Sequence, residues 1–288
     1  MNAKLMLSVA MIIFGTLGLF TRNIDVSSGE LALYRAILAA VLISVYLVVK
    51  KQKIDMKAIK KELILLLLSG MAMGINWILL FEAYKYTTIS VATLSYYFAP
   101  VIVTVVCPIF FKEKLTKIQI ICFVMSTVGL ILITGIGNFG ESGTDLIGIL
   151  FGLGAAVFYA TVILLNKFIK KVAGIHRTLL QFLAAILILT PYVMVSSGCT
   201  LEKLDGKGWG CLLVVGLVHT GITYCLYFSA LKELKGQEAA ILSYVDPLVA
   251  VLISVLVLGE HMSILQIIGG ACILGFTLWN ELSGENSI

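Results

Sequence analysis

The chain has 288 residues, of which 60% are hydrophobic and only 13% charged, with a formal net charge of +5 and a mean hydropathy of +1.05. A soluble domain carries about 25% charged residues, so this chain cannot cover a water-facing surface. That excludes an ordinary soluble enzyme, a disordered chain and a nucleic-acid binder, and it fits a protein whose outside faces lipid.

The apolar runs, taken in order, predict ten spans. They lie near 4–20, 31–49, 63–84, 88–111, 117–135, 146–168, 178–196, 209–231, 237–258 and 264–281. Each is close to the ~20 residues that cross a bilayer as a helix, and what remains suffices only for short loops. Such long, continuously apolar runs predict helices, since the strands of a membrane barrel are shorter and alternate. Lipid offers the backbone no partners, so each run must bond within itself. Lys4 precedes the first run, and no small-residue cleavage site follows it, so the run reads as a retained span. Cys107, Cys122, Cys225 and Cys272 lie in apolar runs and read as packing residues. Cys199 and Cys211 lie near one loop, and whether they pair stays open.

Lys and Arg set the orientation. With the N-terminus inside, the inner side receives Lys4, the six lysines between Lys50 and Lys61, then Lys112, Lys114, Lys117, Lys167, Lys170, Lys171, Arg177, Lys232 and Lys235. The outer side receives only Arg22, Lys85, Lys203 and Lys207. The expected topology is a multi-pass inner-membrane protein with both termini cytoplasmic, in contact with membrane lipid.

The halves repeat at a constant offset of 147 residues. Ala83, Lys85, Ala92, Tyr97, Pro100, Glu113 and Gln119 match Ala230, Lys232, Ala239, Tyr244, Pro247, Glu260 and Gln266. Five spans per half is odd, so the second copy is expected to enter the membrane from the opposite side. Inverted repeats of this kind build secondary transporters. The expected fold is an all-α integral membrane protein of ten transmembrane helices, with one five-helix repeat in 1–140 and its inverted copy in 141–288.

This organisation resembles the EamA family of the drug/metabolite transporter superfamily. The resemblance rests on the twin Tyr-x-x-Pro elements, Tyr97–Pro100 and Tyr244–Pro247. Each precedes an apolar run that ends in an acid (Glu113 or Glu260), and then Gln119 or Gln266 opens the last helix of the half. The resemblance implies a central cavity between two four-helix bundles, with the fifth and tenth spans peripheral. It also implies ATP-independent movement of small metabolites, export more than uptake.

Pro100 and Pro247 are expected to kink their spans and free the carbonyls of Tyr96 and Ser243 toward a wet cavity. Asp246 lies at mid-span, where a carboxylate costs about 2.5–3.5 kcal/mol on insertion scales. Its repeat mate is Ala99, so the acid is no part of the shared scaffold. It is the first candidate for proton coupling, and His219 is the second, as a possible relay. Arg35 and Glu82 have similar expected depths, so they could pair, or Arg35 could hold a substrate carboxylate. Asn76, Trp77, Tyr96, Tyr97, Tyr159, Tyr224 and Tyr244 form a candidate polar and aromatic wall for an amphipathic or cationic solute. Gly148-x-x-x-Gly152 and Ala271-x-x-x-Gly275 are small-residue pairs that permit close helix approach.

Enzyme motifs are missing. Gly206-Lys207 lacks the rest of a P-loop, and His176, His219 and His261 have no metal-binding spacing. No cofactor or metal is expected. The reading is a monomeric or homodimeric secondary transporter for a small-molecule substrate, such as an amino acid or related amphipathic compound. The alternatives are a passive channel or facilitator and a membrane-embedded enzyme or scaffold. Substrate, direction and coupling ion stay open at this level.

Overall fold

The computed structural model describes residues 2–52, 56–111, 116–134, 144–172, 174–196, 198–231, 233–234, 239 and 242–284. Lys53, Lys112, Glu113, Lys114, Glu141, Lys232 and Lys235 lie outside them. All regular structure among the described residues is helical. The order is α1 (Ala3–Gly15), α2 (Leu17–Thr21), α3 (Ser28–Val49), α4 (Met56–Tyr86), α5 (Ile89–Tyr96), α6 (Ala99–Phe111) and α7 (Lys117–Thr134). Then follow α8 (Thr144–Phe168), α9 (Gly174–Ser196), α10 (Gly206–Leu213), α11 (Thr223–Leu231), α12 (Val245–Leu252) and α13 (Ile264–Gly284). Among the described residues, seven stretches are long and apolar enough to cross a membrane, and three more, Lys117–Ile133, Val245–Val257 and Ile264–Asn280, are apolar but shorter. The protein is therefore a multi-pass membrane protein.

The helix starts follow from local chemistry. Ser27 caps α3 in a reciprocal box with Glu30, and Thr88 and Asp205 cap α5 and α10. Gln119 and Gln266 now have a reason to recur. The Gln119 side chain accepts from Thr116 N at 2.8 Å while Gln119 N donates to Thr116 Oγ1 at 3.2 Å. Ser263 and Gln266 repeat the arrangement at 2.9 and 3.2 Å. The same capping box thus opens α7 and α13.

Two expectations about helix shape are corrected. The first span breaks at Thr16 into α1 and α2. The fourth breaks at Tyr97–Phe98, ahead of Pro100, which stands in the first turn of α6, where its missing N–H costs nothing. Tyr244 is likewise a turn residue, and Pro247 lies in the first turn of α12. The prolines start new helical segments instead of bending continuous ones. Two π-helical segments, Val214–Ile222 and Ile253–Val257, carry the chain between α10 and α11 and onward from α12. In the first and just after it, the hydroxyls of Thr220 and Thr223 reach back five residues, to Val215 O at 2.8 Å and Val218 O at 2.7 Å. A wider turn of this kind is frequent at functional sites.

Helices α4 and α9 pack together, as do α3 and the first π-segment. Helix α8 lies against α4, α5 and α6, while α1 lies against α11 and α12. Helices α7 and α13 form their own pair, crossing where Gly129 and Gly269 meet. A Cβ at either glycine would stand about 2.5 Å from the other's carbonyl oxygen, so only glycine permits the approach. The expected small-residue pairs divide. Gly148 and Gly152 do pack closely, on Thr87 and on Ser95 of α5, whereas Gly275 has open space beside it. Cys199 and Cys211 are both free thiols.

Candidate functional site

The helices enclose a cavity of about 390 Å³. Its wall is drawn from both halves: Phe14 of α1, Arg35 of α3, Trp77 of α4, Tyr96 and Tyr97 at the α5 break, Tyr159 of α8, Tyr224 of α11 and Asp246 of α12. Gly15 closes one side. A Cβ there would lie 2.6 Å from the Asp246 carbonyl oxygen, so the bare glycine lets α1 rest on the backbone that carries the acid.

The aromatic rings form two connected groups. Tyr96 stacks on Tyr159 at 5.1 Å between centroids and meets Tyr97 edge-on at 5.9 Å. Across the cavity, Phe182 contacts both Trp77 (5.3 Å) and Tyr224 (5.4 Å), and Phe14 packs on Tyr224 at 5.3 Å. Such faces bind apolar or cationic groups without demanding a fixed hydrogen-bond pattern. The tyrosine turn before Pro100 aims the Tyr97 hydroxyl at the opposite half, where it donates to Asp246 Oδ2 at 2.6 Å. This bond joins the two Tyr-x-x-Pro elements directly.

Arg35 is 3% exposed. Its Nε donates to Thr220 Oγ1 at 2.8 Å, and its guanidinium lies over Trp77 at 4.6 Å and Phe81 at 5.4 Å. The π-helical turn that carries Thr220 supplies that acceptor.

Several candidates take other places. Glu82 does not pair with Arg35: it accepts from the Ser28 hydroxyl at 2.5 Å and pairs with Lys85 at 3.4 Å. A near hydroxyl and a lysine one helical turn away outcompete a guanidinium buried among rings. Asn76 is buried off the cavity and donates to Ala155 O at 2.6 Å, tying α4 to α8. Tyr244 is buried but is not among the residues lining the cavity. His219 also lies off the cavity, with Thr16 Oγ1 2.9 Å from Nε2 and Val214 O 3.3 Å from Nδ1, and Phe20 edge-on. It makes no contact with Asp246 and braces the break between α1 and α2.

Sequence reasoning missed a polar group on the same wall. Gln181 Nε2 donates to Ser69 Oγ at 2.6 Å and to Asn166 Oδ1 at 2.7 Å, and Arg177 Nη1 donates to Asn166 O at 3.3 Å. Asn166, Arg177 and Gln181 all line the cavity. Arg177 had counted only as a loop cation. Gln181 sits inside an apolar run, which was the available signal.

A second polar cluster lies where four chain segments meet. Glu260 pairs with Arg22, accepts from Ile89 N at 3.0 Å and bonds Ser254. Arg22 also donates to Thr87 O at 3.1 Å, and Ser90 N to Ser254 Oγ at 3.3 Å. The end of α2, the start of α5, the first turn of the second π-segment and the loop that follows that segment are thereby tied together.

The model of the EamA-like transporter family matches residues 1–135 and again 146–280. The chain belongs to that family. An uncharacterized transporter of Bacillus subtilis, YxxF, is 29% identical over 270 residues, which is 93% of this chain and 86% of the relative. Uncharacterized transporters of Clostridium kluyveri (26% identical; 75% of this chain, 71% of the relative) and Archaeoglobus fulgidus (28%; 69% and 70%) also match. A solved crystal structure, 16% identical, covers 96% of each chain with a TM-score of 0.64, so it shares the fold. As an EamA-like protein, the chain is a membrane transporter and not an enzyme.

Proposed function

We propose that the protein is a secondary transporter that exports a small organic metabolite, such as an amino acid or a related amphipathic compound, by alternating access. The observation that carries this reading is the cavity itself. An aromatic wall built from both halves, with an acid and a guanidinium set into it, suits a solute with an apolar body and charged groups. The ten spans form two inverted repeats, 1–140 and 141–288, in the inner membrane with both termini cytoplasmic. The helix pairings support two equivalent halves, and the odd number of spans in each supports their inversion. The contact of α4 with α9 answers that of α3 with the first π-segment, and α4 with α8 answers α1 with α11, which is what exchanging two equivalent halves produces.

In the expected topology, Arg22, Ile89 and Glu260 all lie at the outer side. Their cluster acts as a latch that keeps the cavity shut outward while substrate enters from the cytoplasm. Asp246, held by Tyr97, is the coupling group. A carboxylate in this setting gains and loses a proton as its surroundings become wet or dry, which links proton movement to the change of state.

Purified protein in proteoliposomes tests the carrier reading. Preloading with unlabelled metabolite is expected to drive saturable counterflow of the labelled compound. Flux that rises linearly with concentration and shows no counterflow supports a channel and removes the carrier.

A further inference from the structure

We infer that Arg35 is the anion pole of the cavity and that the transported molecule carries a carboxylate which docks on this guanidinium. The inference rests on the carrier reading above and narrows its substrate. A guanidinium stays charged in any protein environment, and a buried charge is ordinarily paired. Arg35 is not. Nε is satisfied by Thr220, but among the described residues Nη1 has no acceptor and no carboxylate pairs with the side chain.

The acids that could have served are committed elsewhere. Glu82 is held by Ser28 and Lys85, Glu30 by Thr200 and the Ser27 cap, and Asp246 by Tyr97. The faces of Trp77 and Phe81 attract the cation but provide no oxygen for its donors. What is left is a dehydrated positive charge in a cavity wall, with its own counter-ion missing.

A planar monoanion with two oxygens fits the fork of donors and cancels one charge. A phosphate dianion would carry a charge in excess, since the other cavity arginine, Arg177, is engaged by Asn166 and shares no partner with Arg35. Trp77, Tyr96 and Tyr224 around the guanidinium then suit an apolar or aromatic body on that carboxylate.

The test uses full-length purified protein and a panel of carboxylic acids paired with their primary amides. The panel runs from butyrate to 3-phenylpropionate and L-phenylalanine, and binding is read by thermal shift and by Trp77 fluorescence against Trp77→Phe. At least one acid is expected to bind, with its amide at least thirtyfold weaker. Arg35→Gln is expected to erase the preference for acid over amide. Arg35→Lys, which keeps the charge but loses the fork, is expected to weaken the acid about tenfold and leave the amide unchanged. Should Arg35→Gln not fold, the lysine variant decides: undiminished acid binding overturns the proposal. Amides that bind as well as acids, an acid preference that survives Arg35→Gln, or no acid bound at all also overturn it. In those cases, saturable counterflow of a neutral or cationic metabolite leaves the carrier reading standing, and its absence removes both.

Discussion

Tyr97 and Asp246 are the residue pair on which the proposed coupling turns. Their 2.6 Å bond crosses between the halves, so any change in the charge of the acid alters how strongly the halves hold each other. Asp246→Asn keeps the shape but has no proton to exchange. Its transport is expected to lose pH dependence while binding persists, and rates measured in proteoliposomes across pH 5.5 to 8.5 check this. An unaltered profile removes Asp246 from the coupling step. Tyr97 also shows how a sequence signal can point to the right residue for an incomplete reason. It was singled out as one aromatic in a wall, but its particular use comes from the break at residues 97–98, which turns its hydroxyl across the cavity.

Among the elements, α7 and α13 are the cleanest case. Both are opened by the same capping box and cross at two glycines. Gln266→Ala removes the reciprocal bond to Ser263 N and is expected to cost about 1 kcal/mol, read as a lowered melting temperature with transport retained. Gly269→Val is a harsher change, because its new Cβ meets the Gly129 carbonyl oxygen and the adjacent Ile133 N, which are backbone atoms that cannot rotate away. A loss of about 1–3 kcal/mol, or more, is expected, with the cavity residues untouched. If the pair only fills space at the edge of the bundle, substrate affinity in folded protein stays the same.

For the whole molecule, the proposed latch is the Arg22–Glu260 cluster. Glu260→Gln cannot pair with Arg22 as an anion, and it weakens the hold on Ile89 N and Ser254. On the proposed alternating access, the state open to the outside is then expected to be more populated. A cysteine placed at Thr93, a cavity residue on α5, is expected to react several-fold faster with an impermeant maleimide added from outside when Glu260→Gln is present. Equal rates in both backgrounds would mean that the cluster merely caps α5. His219 belongs to this scale too. Its partners are Thr16 and Val214, so it holds the broken first span against the π-segment.

Hydropathy, charge bias and the 147-residue offset determined the membrane class and the family, because lipid imposes its demands on every stretch of chain separately. They also marked Arg35, Trp77, Tyr96, Tyr97, Tyr159, Tyr224 and Asp246 as unusual, since polar and ring-bearing residues within apolar runs carry a cost that needs a reason. The tertiary structure alone decided which of them share the cavity. Which face Asn76 or His219 presents depends on how helices far apart in sequence are rotated, and breaks at Thr16 and Tyr97 and two π-segments reset that rotation along the way. Arg177 and Gln181 entered the wall for the same reason. Glu82 took Ser28 and Lys85 over Arg35 because hydrogen bonds act over about 3 Å, a distance that similar expected depths in a membrane do not specify.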